Sequence, residues 1–143
     1  MRIDELTSTK IYPYEKINDV KGGVDYEFNA DSIKYIIVFE NTSSNEFNNA
    51  YEISFHTEDG SIDEFNPDWK KKKIFQIFGT IEAITKDFLD HVKPDYLVWG
   101  ATGKRRDIYR RFKHPKYNFF NTTALPFNDE TGEIGASEGL KRK

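Results

Sequence analysis

Residues 74–99 read IFQIFGTIEAITKDFLDHVKPDYLVW, and the change of period inside this stretch decides the fold. Ile74, Ile77, Phe78, Ile81, Ile84, Phe88, Leu89 and Val92 recur at spacings of three and four, while Glu82, Lys86, Asp87 and Asp90 fill the other side. That pattern is one apolar stripe on an amphipathic helix over 74–92. Pro94 stands just past its end, where it cannot continue a helix. Tyr96-Leu97-Val98-Trp99 then forms an unbroken apolar run, which reads as a strand covered on both faces and placed inside a sheet.

Upstream of the helix the period is two. Residues 24–29 (VDYEFN) place Tyr26 and Phe28 on one face, and 34–41 (KYIIVFEN) are apolar on both faces, as a central strand is. Residues 51–57 (YEISFHT) alternate, with Tyr51, Ile53 and Phe55 inward and Glu52, Ser54 and His56 outward. The links at 30–32 and 42–49 carry turn residues, so an antiparallel meander is the simplest pairing. A weaker first strand over 11–17 is interrupted by Pro13, which suits a sheet edge. Residues 58–68 read as an acidic loop or a wide hairpin.

Downstream, 104–112 predict a second helix with Ile108 and Phe112 on one side, and 117–127 hold a last strand. The order β-β-β-β-α-β-α-β predicts an α+β fold: a mixed, mostly antiparallel sheet with two helices. The chain divides into a single domain over 1–128 and a polar tail over 129–143 without periodicity. Residues 130–143 offer few apolar groups against the entropy of ordering, so contacts with other chains are expected to hold them.

Composition removes several function classes. The chain of 143 residues has no cysteine, which excludes disulfide scaffolds, thiolate zinc sites and cysteine nucleophiles. Mean hydropathy is low at −0.73, yet twelve Phe and eight Tyr argue against disorder. No apolar run is long enough to span a membrane, and the opening MRIDE reads as no targeting peptide. His56, His91 and His114 stand without ligand spacing, so no metal site is expected. Acidic pairs such as Glu58-Asp59 and Asp63-Glu64 sit in a polar loop with nothing apolar to raise a pKa for acid–base work. No Gly-x-Ser-x-Gly elbow is present.

Charge is unevenly placed. Residues 104–116 hold seven Lys and Arg against Asp107 alone, a local +6 in a chain whose formal total is −3. Lysines also occupy 70–73. Such polarity orients a small protein toward an anionic ligand or an acidic partner. The best local constellation is Gly100-Ala101-Thr102-Gly103-Lys104, which follows the 96–99 strand and opens the basic helix. It lacks Walker A spacing, but free N–H groups at a helix start beside cations can hold an anion. Gly100, Thr102, Gly103, Lys104, Arg105, Arg106 and Arg110 are therefore the candidate anion- or partner-binding residues. The interleaved Tyr109, Tyr117, Phe119 and Phe120 would suit stacking against nucleic acid, although no base-reading pattern is present.

Gln76-Ile77-Phe78-Gly79-Thr80-Ile81, Pro94–Trp99 and Asp107–Phe112 together resemble the C-terminal half of the GCN5-related N-acetyltransferase (GNAT) fold. The first string is similar to that family's Q/R-x-x-G-x-G/A pyrophosphate loop, with Ile81 where Gly or Ala belongs. The resemblance implies acetyl-CoA as cofactor, with Gln76 and Gly79 at its pyrophosphate and Tyr109 at the family's tyrosine position. Phe78-Gly79-Thr80-Ile81, Lys93-Pro94-Asp95 and Arg106-Asp107-Ile108-Tyr109 also resemble a group of small phage proteins of uncertain role. Together these imply a phage accessory or virion-associated protein that works by binding other protein subunits, a virion assembly among them, without catalysis and without cofactor. Its place would be the host cytoplasm or the virion. The alternatives are a divergent acetyl-CoA-dependent N-acyltransferase, and a nucleic-acid or nucleotide binder acting through 104–116.

Overall fold

In the computed structural model, residues 11–20, 22–43, 48–58, 71–100, 103–121 and 138–143 are described, without the side chains of 20, 71–73 and 103–105. Seven strands lie in one sheet: β1 (Tyr14–Val20), β2 (Gly23–Ala30), β3 (Ile33–Asn41), β4 (Ala50–Thr57), β5 (Tyr96–Trp99), β6 (Tyr117–Asn121) and β7 (Glu138–Arg142). Helix α1 (Lys71–Val92) joins β4 to β5, and α2 (Gly103–Tyr109) follows β5. The spatial order is β1-β2-β3-β4-β5-β7-β6. Every neighbouring pair is antiparallel except β4 and β5, which are parallel, as strands joined through a crossover helix must be. The fold is thus α+β, with a mostly antiparallel sheet and two helices.

Alternation decides what lies between sheet and helices. Val24, Tyr26 and Phe28 on β2, Tyr35, Ile37 and Phe39 on β3, and Ile53 and Phe55 on β4 face one way and are buried. Ile77, Ile81, Ile84 and Phe88, one stripe of α1, are fully buried against them. Phe88 stacks flat on Phe39 with ring centroids 4.0 Å apart and meets Tyr51 edge-on at 5.2 Å. Phe78 is only partly buried at the rim of this core, with the Arg111 guanidinium over its ring at 5.7 Å. Ile108, Tyr109 and Phe112 close the same core around Trp99.

Local chemistry sets the element ends. Pro13 has no N–H to give a ladder, so β1 begins after it, and its register slips between Lys16 and Asn18 as an edge strand tolerates. Asp31, at φ 59°, supplies the left-handed turn between β2 and β3. Helix α1 starts at Lys71, three residues before its apolar stripe, and stops as Lys93 turns left-handed at φ 54° ahead of Pro94. Helix α2 ends at Tyr109, short of the expected Phe112, which remains buried by a turn.

The 96–99 run is an interior strand, between β4 and β7, with Leu97 and Trp99 in the main core and Val98 buried on the opposite face beside Tyr96 and Phe120. The main departure from expectation is β7. Glu138–Arg142, read from sequence as part of a polar tail held by other chains, lie inside the sheet of their own chain, between β5 and β6. Gly139 permits this. A Cβ there would fall on the Leu97 carbonyl oxygen and stand 2.9 Å from the Val98 Cα. The expected loop at 59–68, residues 122–127 of the expected last strand and residues 129–137 of the tail lie outside the described residues.

Candidate functional site

The end of β5, the start of β7 and the residue just past α2 meet in a buried polar arrangement. Trp99, with no exposed surface, donates its indole N–H to Glu138 Oε1 at 2.8 Å. Arg110 grips the same carboxylate as a fork, Nε to Oε1 and Nη2 to Oε2, both at 2.8 Å. Glu138 is only 3% exposed, so three hydrogen bonds and a facing cation must offset the loss of its hydration. The Arg110 fork, with the Trp99 N–H behind it and Arg106 nearby, holds the Glu138 carboxyl below the ordinary glutamate range despite its burial. Arg110, expected to meet an external anion, therefore has its head on an internal one. Arg106 is partly buried, and its Nε finds no hydrogen-bond partner among the described residues. Gly100 is exposed past β5, and Gly103 opens α2; Thr102 and the side chains of Lys104 and Arg105 lie outside the described residues. So do the side chains of lysines 70–73.

Gln76 and Gly79 lie inside α1, past its first turn. A Cβ on Gly79 would stand 3.4 Å from Ile11 Cγ2, and the Tyr12 N–H donates to Thr80 Oγ1 at 2.9 Å. The helix surface at Gly79 and Thr80 is thus packed by residues 11–12 of the chain itself. Tyr109 is 1% exposed, with its ring against Phe55, Trp99 and Phe112. Burial pushes the hydroxyls of Tyr26, Tyr35 and Tyr117 up to about 12, which keeps them neutral; Tyr117 donates to the Pro94 carbonyl at 2.6 Å.

Two of the three histidines serve local ties. His114, its side chain 5% exposed, pairs through Nε2 with Asp90 Oδ1 at 2.7 Å and accepts the Lys116 N–H on Nδ1 at 3.1 Å. That second bond places the ring proton on Nε2, and the donated bond holds the Asp90 carboxyl below its ordinary value. His91 pairs with Asp87 one turn earlier on α1 at 2.9 Å. Among the described residues no three His, Cys, Asp or Glu side chains converge as metal ligands would.

What the sheet order does bring together is charge. The Lys143 N–H donates to the Lys116 carbonyl at 2.9 Å and the Arg142 N–H to the Asp95 carbonyl at 2.9 Å. The first bond and the Tyr117–Arg142 and Asn118–Lys141 pairs lay 141–143 beside 116–118, so that Lys116, Lys141, Arg142 and Lys143 are exposed on one flank, with Lys113 exposed in the segment that leads to it. Asn48, Asp95, Tyr96, Lys141, Arg142 and Lys143 line a shallow depression of about 500 Å³ there, with Lys141 Nζ 6.0 Å above the Tyr96 ring. The Asp95 carboxylate is 3.9 Å from Arg142, at the limit of an ion pair. On the other flank, the described residues of 11–58 hold eight acids against Lys16 and Lys34. Of the basic run 104–116 only Lys113 and Lys116, among the described side chains, belong to this flank; 141–143 were not among the candidate residues, and Lys-Arg-Lys at 141–143 is their only signal in the sequence.

Neither a family model, a curated protein nor a solved structure matches this chain. Among the described residues no helix is long and apolar enough to cross a membrane.

Proposed function

We propose that this chain is a non-catalytic binding protein that docks an acidic region of a partner protein on the flank formed by β6, β7 and the turn before β6. In the terms of its sequence resemblance it would be a phage accessory or virion-associated component. The observation that carries the reading is the spatial polarity: five exposed cations from two separate segments share one flank, opposite an acidic one. Such polarity steers and orients a partner more than it adds raw affinity.

The chemistry-bearing side chains support binding over catalysis. Glu138 is paired with Arg110 and His114 with Asp90, and Tyr109 is buried in the core. A protein partner is favoured over a nucleic acid because the β1–β4 flank is acidic and would repel a polyanion long enough to reach it.

The test is fluorescence anisotropy with labelled poly-L-glutamate, poly-L-lysine and single-stranded DNA. Poly-L-glutamate should bind in a salt-sensitive manner, and a Lys113→Glu, Lys116→Glu, Lys143→Glu triple variant should lose about tenfold or more in affinity. Tighter binding of DNA, lost in the same variant, would move the reading to nucleic acid. Binding unchanged by the triple variant would remove this flank from the function.

A further inference from the structure

We infer that the long side of β6 away from β7, unpaired among the described residues, accepts an extended acidic segment of a partner protein as an added β-strand. The inference rests on the binding role proposed above and specifies its geometry.

The two edges of the sheet differ in how they are guarded. Strand β1 follows Pro13, carries Glu15, Lys16 and Asp19, and slips register between Lys16 and Asn18. Proline, charge and irregularity are the devices by which edge strands refuse further pairing. Strand β6, Tyr-Asn-Phe-Phe-Asn, has no charge and no proline, and keeps unbroken register with β7 over its whole length. Among the described residues it pairs with β7 alone.

The ladder shows which peptide groups are free. The Lys143 N–H bonded to the Lys116 carbonyl continues the β6–β7 ladder past its last strand pair, Tyr117 with Arg142. Bonded residues alternate along an antiparallel strand, so Asn118 and Phe120 turn their peptide groups to β7. Tyr117, Phe119 and Asn121 therefore turn theirs outward, and the Tyr117 N–H is taken by the His114 carbonyl. The Phe119 side chain, at 49% the most exposed large apolar group among the described residues, stands beside these open groups. The edge is roughly 17 Å long, room for about five residues of a partner strand. Backbone bonds would supply the pairing, and Phe119 a contact for one alternate side chain.

Charge selects the occupant. Lys116 and Lys143 stand together at one end of the edge and Lys113 lies in the turn before it, so an acidic strand is attracted. A second copy offering the same edge would bring two basic flanks together, and its β1 edge is guarded.

The probe is a capped peptide alternating Glu and Val, compared with the same peptide N-methylated at alternate amides. N-methylation removes strand donors and leaves charge intact. With isotope-labelled full chain, the Glu/Val peptide should bind saturably and slow exchange of the Phe119 and Asn121 amides. The N-methylated peptide should bind about tenfold or more weakly, as should the unmodified peptide to Lys116→Glu combined with Lys143→Glu. Equal binding of both peptides would overturn strand addition while leaving an acidic partner in place. Binding of neither would overturn both. A concentration-dependent dimer dissolved by Phe119→Asp would make a second copy the occupant and overturn the acidic segment. Protection of the same amides by single-stranded DNA would overturn it in favour of nucleic acid.

Discussion

Replacing Glu138 tests how the last strand is held in the sheet. Its carboxylate takes three hydrogen bonds of 2.8 Å, one from Trp99 and two from Arg110. In Glu138→Gln one amide oxygen can still accept from the buried indole, but the amide NH₂ meets a guanidinium that also donates. Arg110, with its side chain 47% exposed, can turn to water, whereas the indole N–H cannot. The loss should therefore be that of charge-assisted bonds, about 1.5–3 kcal/mol. For a domain of this size that lowers the melting temperature by about 5–10 °C. Glu138→Ala also orphans the Trp99 N–H and should cost about 1–3 kcal/mol more.

The pH dependence follows from the direction of the shift. Because the folded state holds Glu138 below its ordinary value near 4.5, its contribution is complete above that pH and is lost as pH falls through the depressed folded value. Thermal melts from pH 7 to pH 3 should show a constant gap between wild type and Glu138→Gln down to about pH 4.5, closing below it. A gap that persists unchanged at pH 3, or equal stabilities for the Gln and Ala variants, would show that the Glu138 carboxylate does not hold the last strand.

Phe88→Ala removes a fully buried ring stacked on Phe39 and should cost about 3–5 kcal/mol in urea melts with an unchanged slope. Gly139→Ala drives a methyl into the β5 backbone and should destabilise by at least about 1–3 kcal/mol, with the largest amide shifts in β5 and β6. Hydrogen exchange should rank the amides of β5 among the slowest in the chain, since it is flanked by β4 and β7 and its Leu97, Val98 and Trp99 are fully buried; fast exchange there would contradict the strand order.

Elements whose side chains report their own surroundings are legible in the sequence alone. In α1 the three- and four-residue spacing ends in Ile77, Ile81, Ile84 and Phe88 buried as one stripe. In β2 to β4 the period of two separates core from solvent. The unbroken Tyr96–Trp99 run marks an interior strand because both its faces are covered. Periodicity is a local signal, and in these segments burial follows it directly. Strand β7 has no such signal: Glu138 is charged, Gly139 has no side chain, and Leu140 is the only apolar residue among its five. Glu138 is tolerable in the interior only because Trp99 and Arg110, 39 and 28 residues away, present donors there. Gly139 is needed only because the backbone of β5 lies against it. The same long-range pairing joins 141–143 to 116–118 and makes one basic flank from two separate runs. A partner distant in the chain leaves no trace in the local pattern, so only long-range pairing places 138–142 between β5 and β6.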